Sequence, residues 1–315
     1  MASNNSVIGG QLAINNINNR VIIVQVFISM FLCINCLLIT TFFMKDIFYT
    51  TMRYILFAIA LSSDSLFLLI TNVLLILSYF SFTIQVWLCV IIYIVLSVYT
   101  FVTPVTLTAM TLERYVAICI PLRHAELCRT QRALHFILII HGLSSVPCIV
   151  ILSIFFASAI PSFYTQSRIC AVEMFIFHRW QGHLRSAISQ LFFLIMSITI
   201  VFSYVQIMKV AKAASGENKK STWKGLSTVV LHGFQLLLCL IQLWCPFIEA
   251  AVLQIDFMLF INVRYFNYIT FILAPRCLSP LIYGLRDEMF VNALKYYALC
   301  GLYKKHSTAC SFIRF

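Results

Sequence analysis

The chain has 315 residues, 62% of them hydrophobic and only 10% charged, with a net charge of +12 and a mean hydropathy of +0.96. Soluble domains hold about a quarter charged residues, so a water-soluble globular fold is excluded and lipid is the solvent this composition needs. The apolar blocks recur along the whole chain with no Pro/Gly/Ser-rich linker between halves, which indicates one membrane domain.

The opening stretch, MASNNSVIGGQLAINNINNR, is polar and Asn-rich. It has neither the basic start nor the apolar core of a signal peptide, so residues 1–20 are expected to form an outer tail, with the first span acting as the targeting signal. Asn4 opens an N-x-S sequon there, either a glycosylation acceptor or a chance match. A spanning helix needs roughly 20 apolar residues, and such blocks fall at 21–44, 54–80, 86–118, 133–157, 186–210, 225–253 and 258–284. The runs are continuous, not alternating, which favours helices over a β-barrel because each segment must satisfy its own backbone. The expected fold is therefore an all-α bundle of seven transmembrane helices over 21–284. In the remaining segment, 285–315, Asp287 to Leu299 repeats apolar residues at helical spacing and predicts a short amphipathic helix on the inner leaflet. Cys300 at its end is either palmitoylated or a free thiol.

Lys and Arg placement sets the orientation. With the N-terminus outside, the inner side holds Lys45, Arg53, Arg114, Arg123, Arg129, Arg132, Lys209, Lys212, Lys219, Lys220, Lys224, Arg286, Lys295, Lys304, Lys305 and Arg314. The outer side holds only Arg20, Arg168, Arg179, Arg185 and Arg264. This asymmetry places the N-terminus outside and the C-terminus inside. It also accounts for the positive charge as an inner collar facing anionic lipid and a cytoplasmic partner, so nucleic-acid binding is not needed.

No catalytic, cofactor or metal constellation is legible. The 12 Cys lack paired CxxC spacing, His135 and His141 lack metal-ligand spacing, and HExxH, GxSxG and Walker patterns are absent. A transporter or channel is the other membrane class this composition allows, although no internal repeat is visible. Two charges, Asp64 and Arg276, fall well inside predicted spans, where an isolated charge costs several kcal/mol, so both should face the bundle. They either pair, or Arg276 bends toward inner water.

At the inner end of the third span stands MTLERYVAICIPLRH, residues 110–124. By itself the charged pair Glu113 and Arg114 reads as an interfacial cation snorkelling to headgroups. Seven spans with this triplet, however, resemble the class A (rhodopsin-like) G protein-coupled receptors, whose Asp-Arg-Tyr it matches with Glu113 in place of Asp. Three segments narrow the resemblance to the odorant-receptor branch. MTLERYVAICIPLRH is similar to its MALDRYVAIC.PLRY, KGLSTVVLH (Lys224 to His232) to its KAFSTCxSH, and PRCLSPLIYGLRDEMF to its PMLNPxIYSLRN. The ERY and PRCLSP variants look most like fish-type members. The run QLLLCLIQLWCP departs from the CWxP motif of other class A receptors, as odorant receptors also do, and leaves open which side chain is the toggle.

The resemblance implies a disulfide from Cys89 to Cys170 and a polar core of Asn35, Asp64, Thr103, Arg276 and Ser279. An Asp64–Arg276 pair would stand where relatives hold sodium. It also implies an inner switch of Glu113, Arg114, Tyr115, Tyr204, His232, Pro280 and Tyr283, in which Arg114 is held by Glu113 at rest and released when the sixth helix swings out. The implied ligand is a small-molecule odorant and the implied partner a heterotrimeric, stimulatory G protein. By family position the pocket wall comprises Leu96, Tyr99 and Thr100 on the third helix, Ile188, Ser189 and Phe192 on the fifth, Gln242, Phe247 and Glu249 on the sixth, and Tyr265 and Ile269 on the seventh. Leu96 occupies the place of the amine receptors' Asp, so small cationic amines lack their usual anchor.

Overall fold

In a computed structural model, the structure describes residues 2–44, 46–127, 130–170, 172–214, 233–279, 291–292 and 294–295. His232, Pro280, Tyr283 and Cys300 lie outside the described residues, as does most of the expected amphipathic helix, of which 291–292 and 294–295 are helical. For Asn4 and Ser279 only the helical backbone is described.

Seven helices are long and apolar enough to cross a membrane: Asn18–Phe43, Met52–Tyr79, Val86–Cys119, Ala133–Ser158, Trp180–Val210, Gly233–Leu253 and Phe257–Leu278. Large apolar side chains such as Leu37, Leu138, Leu194 and Ile198 are exposed, the reverse of a soluble protein, and give the bundle a surface that suits lipid. The third span is the hub. Its Phe101, Val102, Leu107 and Met110 share one core with Leu56 and Leu61 of the second span, Ile140 of the fourth, Met196 and Ile200 of the fifth and Leu236 and Leu240 of the sixth. It carries many Thr, which a span tolerates because a hydroxyl can donate to a carbonyl one turn back. Thr100 donates to Leu96 O at 2.7 Å, Thr106 to Val102 O at 2.7 Å, Thr108 to Pro104 O at 2.8 Å and Thr111 to Leu107 O at 2.9 Å.

Two boundaries differ from the sequence expectation. The first helix runs Ala2–Phe43, so the polar stretch read as an outer tail is helical and continuous with the first span. The fifth helix begins at Arg179, well before the expected 186. Gln181 is the reason: its Oε1 accepts from the backbone N–H of Phe177 at 2.7 Å and of His178 at 3.1 Å. This is the reach-back half of a capping box, which satisfies otherwise orphaned donors.

Prolines shape the last two spans. Pro246 cannot donate and its ring crowds the carbonyl four residues earlier. The sixth span accordingly breaks into a turn at 242–244, with bonds three residues back from Leu243 to Leu240 O at 3.0 Å and from Trp244 to Ile241 O at 2.8 Å. Before Pro275 the seventh span widens to a π-helical stretch, Tyr268–Leu273, the local remedy for a missing backbone donor.

Candidate functional site

The end of the bundle read from the sequence as outer is tied together covalently. Cys89, at the start of the third span, is disulfide-bonded to Cys170 in the loop after the fourth, with 5.6 Å between their Cα atoms. Beside the bridge, Ile84–Gln85 pairs antiparallel with Ser167–Arg168 in the register Ile84↔Arg168 and Gln85↔Ser167. Fully buried Phe155 is the centre of an aromatic cluster, with ring centroids 5.1 Å from Phe175, 5.6 Å from Phe177 and 6.0 Å from Tyr164. Phe175 in turn stacks on Tyr93 at 4.2 Å. The loop is thus held down on the third and fourth spans at several independent points.

The centre of the bundle holds a buried charge network. Asp64 on the second span is 0% exposed and Arg276 on the seventh 1%, and their closest N···O approach, Arg276 Nε to Asp64 Oδ1, is 3.5 Å. Thr103 on the third span donates to the same Asp64 oxygen at 2.7 Å. Arg276 Nη1 donates to Gln242 Oε1 on the sixth span at 3.1 Å and to Ile272 O at 3.0 Å. The guanidinium carbon lies 3.6 Å from the centroid of the Phe67 ring, a cation–π contact. One arginine therefore draws contacts from the second, sixth and seventh spans, and the third joins through Asp64. Each contact offsets part of the desolvation cost that two buried charges carry. A second tie between the sixth and seventh spans runs from Gln235 Nε2 to Pro275 O at 3.0 Å. Asn35 joins the second span one step away, donating from Nδ2 to Ser65 Oγ at 3.0 Å.

At the opposite end, read from the sequence as inner, Glu113 has a partner that sequence reasoning missed. The chain turns at Ile120, and the helix Pro121–Leu127 brings His124 back to the third span, where its Nε2 lies 3.1 Å from Glu113 Oε1. Tyr115 faces Phe202 on the fifth span with centroids 5.8 Å apart. Tyr204 faces Thr111 and lies within the field of Arg114. Its ring packs on the sixth span, so that a Cβ on Gly233 would meet it at 3.4 Å. The inner switch residues that the structure describes thus converge on one end of the third, fifth and sixth spans.

The residues read as a pocket wall do not converge equally. Phe192 meets Phe101 at 5.2 Å, and Glu249 accepts from Asn267 Nδ2 at 3.1 Å, linking the sixth span to the seventh. Gln242 is taken up by Arg276. Tyr99 meets His141 of the fourth span in a T-shaped contact at 6.2 Å. Tyr265 and Ile269 pack with Val24, Ile28 and Leu68 of the first two spans, and the Arg20 guanidinium lies 5.1 Å over the Tyr265 ring. Leu96, Thr100, Ile188, Ser189 and Phe247 are half-buried on the third, fifth and sixth spans.

Among the described residues no cluster of His, Cys, Asp or Glu could hold a metal ion. What this arrangement can do is transmit a change in helix position from a covalently pinned outer end, through one buried arginine, to an inner end where Glu113, Arg114 and Tyr204 gather. Residues 34–283 match the family model described as 7 transmembrane receptor (rhodopsin family). The chain is also 43% identical, over 307 residues, to odorant receptor 131-2 of Danio rerio, an alignment covering 97% of this chain and 94% of that protein. The chain belongs to the class A, rhodopsin-like G protein-coupled receptors, in their fish-type odorant-receptor family. It is a multi-pass membrane receptor and not an enzyme.

Proposed function

We propose that this receptor binds a small-molecule odorant in the outer half of the bundle and activates a heterotrimeric G protein, of the stimulatory type that raises cyclic AMP. The observation that carries the reading is the Arg276-centred network, because it links the sixth span, which must move, to the second, third and seventh. A ligand that favours one arrangement of the sixth span shifts the equilibrium only by its differential affinity for the two states. Contact begins at Phe192, Gln242, Phe247 and Glu249, with Leu96, Thr100, Ile188 and Ser189 completing the wall. Tyr99, Tyr265 and Ile269 act from behind it through their packing on the fourth, first and second spans.

At the inner end, Glu113 shared between Arg114 and His124 holds the resting state. Release of Arg114 lets Tyr115, Tyr204, His232, Pro280 and Tyr283 line a cavity for the G protein's C-terminal helix. Asp64 with Arg276 takes the place of a sodium site, flanked by Asn35, Thr103 and Ser279. The N-terminus, with Asn4 as glycosylation acceptor, lies outside the plasma membrane of the olfactory cilium. The tail from 285 onward lies on the inner leaflet, with Cys300 as its lipid anchor. The exposed apolar belt faces membrane lipid, and nucleic acid has no part.

The test is a panel of water-soluble compounds in a cyclic AMP reporter assay, with Arg114→Ala alongside. That variant should reach the cell surface yet lose the response by about tenfold or more, the loss expected when a charged hydrogen-bonding group is removed. A full response from Arg114→Ala would sink the inner switch. Substrate flux or ion current in cells lacking G proteins would sink the receptor mechanism itself.

A further inference from the structure

Below the outer loop, between the third, fourth and fifth spans, lies a cleft that none of the residues read as pocket wall lines. The rings of Phe175 and Tyr93, stacked on each other, line it together, and Ile151, Ile154 and Leu184 form apolar sides. Two polar side chains enter it, Gln181 and Arg185. Gln181 is 7% exposed, and its carbonyl oxygen is consumed by the backbone N–H groups of Phe177 and His178. Its amide nitrogen has only a long contact, 3.5 Å, to Ser158 Oγ, so the group it offers the cleft is a donor. Arg185 is half-buried and offers only donors.

No acid among the described residues lines the cleft. Among the described residues no carboxylate pairs with Arg185, and the outer acids with described side chains are engaged elsewhere. Glu249 accepts from Asn267, and Asp256 accepts from the Leu259 N–H at 2.8 Å, capping the seventh span. A guanidinium partly desolvated beside three aliphatic side chains, with no counter-charge among the described residues, is a costly arrangement unless something anionic completes it. Charge at that end leans the same way, since Arg20, Arg168 and Arg264 sit there and would draw anions toward it.

We propose that this cleft is the subsite for the carboxylate of an apolar organic acid. The Arg185 fork and the Gln181 amide hold the oxygens, and the hydrocarbon lies along Ile151, Ile154 and Leu184. The cleft has room for about one water, so the acid enters by parting those aliphatic side chains. The inference deepens the odorant-receptor reading above and names its ligand class. It also explains why the capping glutamine matters: by starting the fifth helix at Arg179, it places Arg185 one turn further along on the same cleft.

Two readouts separate this proposal from the reading it rests on. Thermal stabilisation of the purified receptor by butyrate, hexanoate and octanoate is compared with that by the matching alcohols and methyl esters. The same compounds are run in the cyclic AMP assay. Acids should stabilise at concentrations about tenfold or more below their neutral counterparts. Arg185→Gln should remove that difference without altering the effect of the alcohols, and Arg185→Lys, which keeps a point charge without the fork, should retain part of it. Equal stabilisation by acids and neutral compounds, no stabilisation by any acid, or an acid preference that survives Arg185→Gln, would overturn the subsite. Acid-selective, Arg185-dependent stabilisation without cyclic AMP would leave the subsite standing and overturn the proposed signalling; cyclic AMP evoked by neutral compounds alone would do the opposite.

Discussion

Arg276→Met should lower the receptor's stability by about 3–5 kcal/mol, the cost of removing one partner of a buried ion pair, read as a lower melting temperature in detergent and reduced surface expression. Asp64 is 0% exposed, and the substitution strips it of its guanidinium while leaving Thr103 as a donor. It also releases Gln242 and the Phe67 ring face. Two further measurements separate loss of a charge pair from loss of volume. Adding sodium to the single variant should recover part of the stability, because the freed carboxylate and Thr103 then offer oxygens to a hard cation. The double variant Arg276→Met with Asp64→Asn should be more stable than Arg276→Met alone, since no uncompensated buried charge remains. A single variant as stable as the parent, and as indifferent to sodium, would show that the pair neither holds the bundle nor replaces an ion.

How much of this was legible beforehand depended on which residues were polar. Asp64 and Arg276 stood out because a charge inside an apolar run has few places to go, and the structure puts them within one network. The spans themselves were legible from length and hydropathy alone, with most boundaries within a few residues. Facing was not. In a membrane helix the lipid side is as apolar as the core side, so the periodicity that marks the buried face of a soluble helix vanishes. That is why the packing of Tyr99 against His141, and of Tyr265 and Ile269 with Val24, Ile28 and Leu68, was not legible in the sequence.

The start of the fifth helix was missed because its signal is a single side chain, Gln181, in a segment with too many Arg, Gln and His to read as membrane. The Glu113–His124 contact depends on a chain reversal at Ile120 and Pro121 that hydropathy does not encode, although a proline just after a long helix was the available clue. The departure from CWxP in the sixth span marked a difference without saying what replaced it. The structure puts Gln242 there, at a proline-induced break and bonded to Arg276. This makes it the candidate for the toggle that the sequence left unnamed.

The second large effect is expected at the outer end. Cys89→Ser, or equally Cys170→Ser, should reduce stability by about 2–4 kcal/mol and reduce ligand potency more than that figure alone implies. The bridge closes a sequence separation of 81 residues, but a membrane protein that loses its tertiary contacts keeps much of its helical structure in lipid. Less chain entropy is then regained than in a soluble protein, and the lower end of the range is the better expectation. Potency is a different matter, because the same loop carries the Ser167–Arg168 strand and, a few residues beyond Cys170, the Phe175 ring that lines the cleft beside Tyr93. Freeing the loop adds to every binding event the cost of ordering it again. The double variant should behave like either single one, since all three break one bond, whereas independent roles for the two thiols would make their effects add. A Cys89→Ser receptor that reaches the surface and responds with unchanged potency would mean that the strand pairing and the aromatic cluster around Phe155 hold the loop without the disulfide.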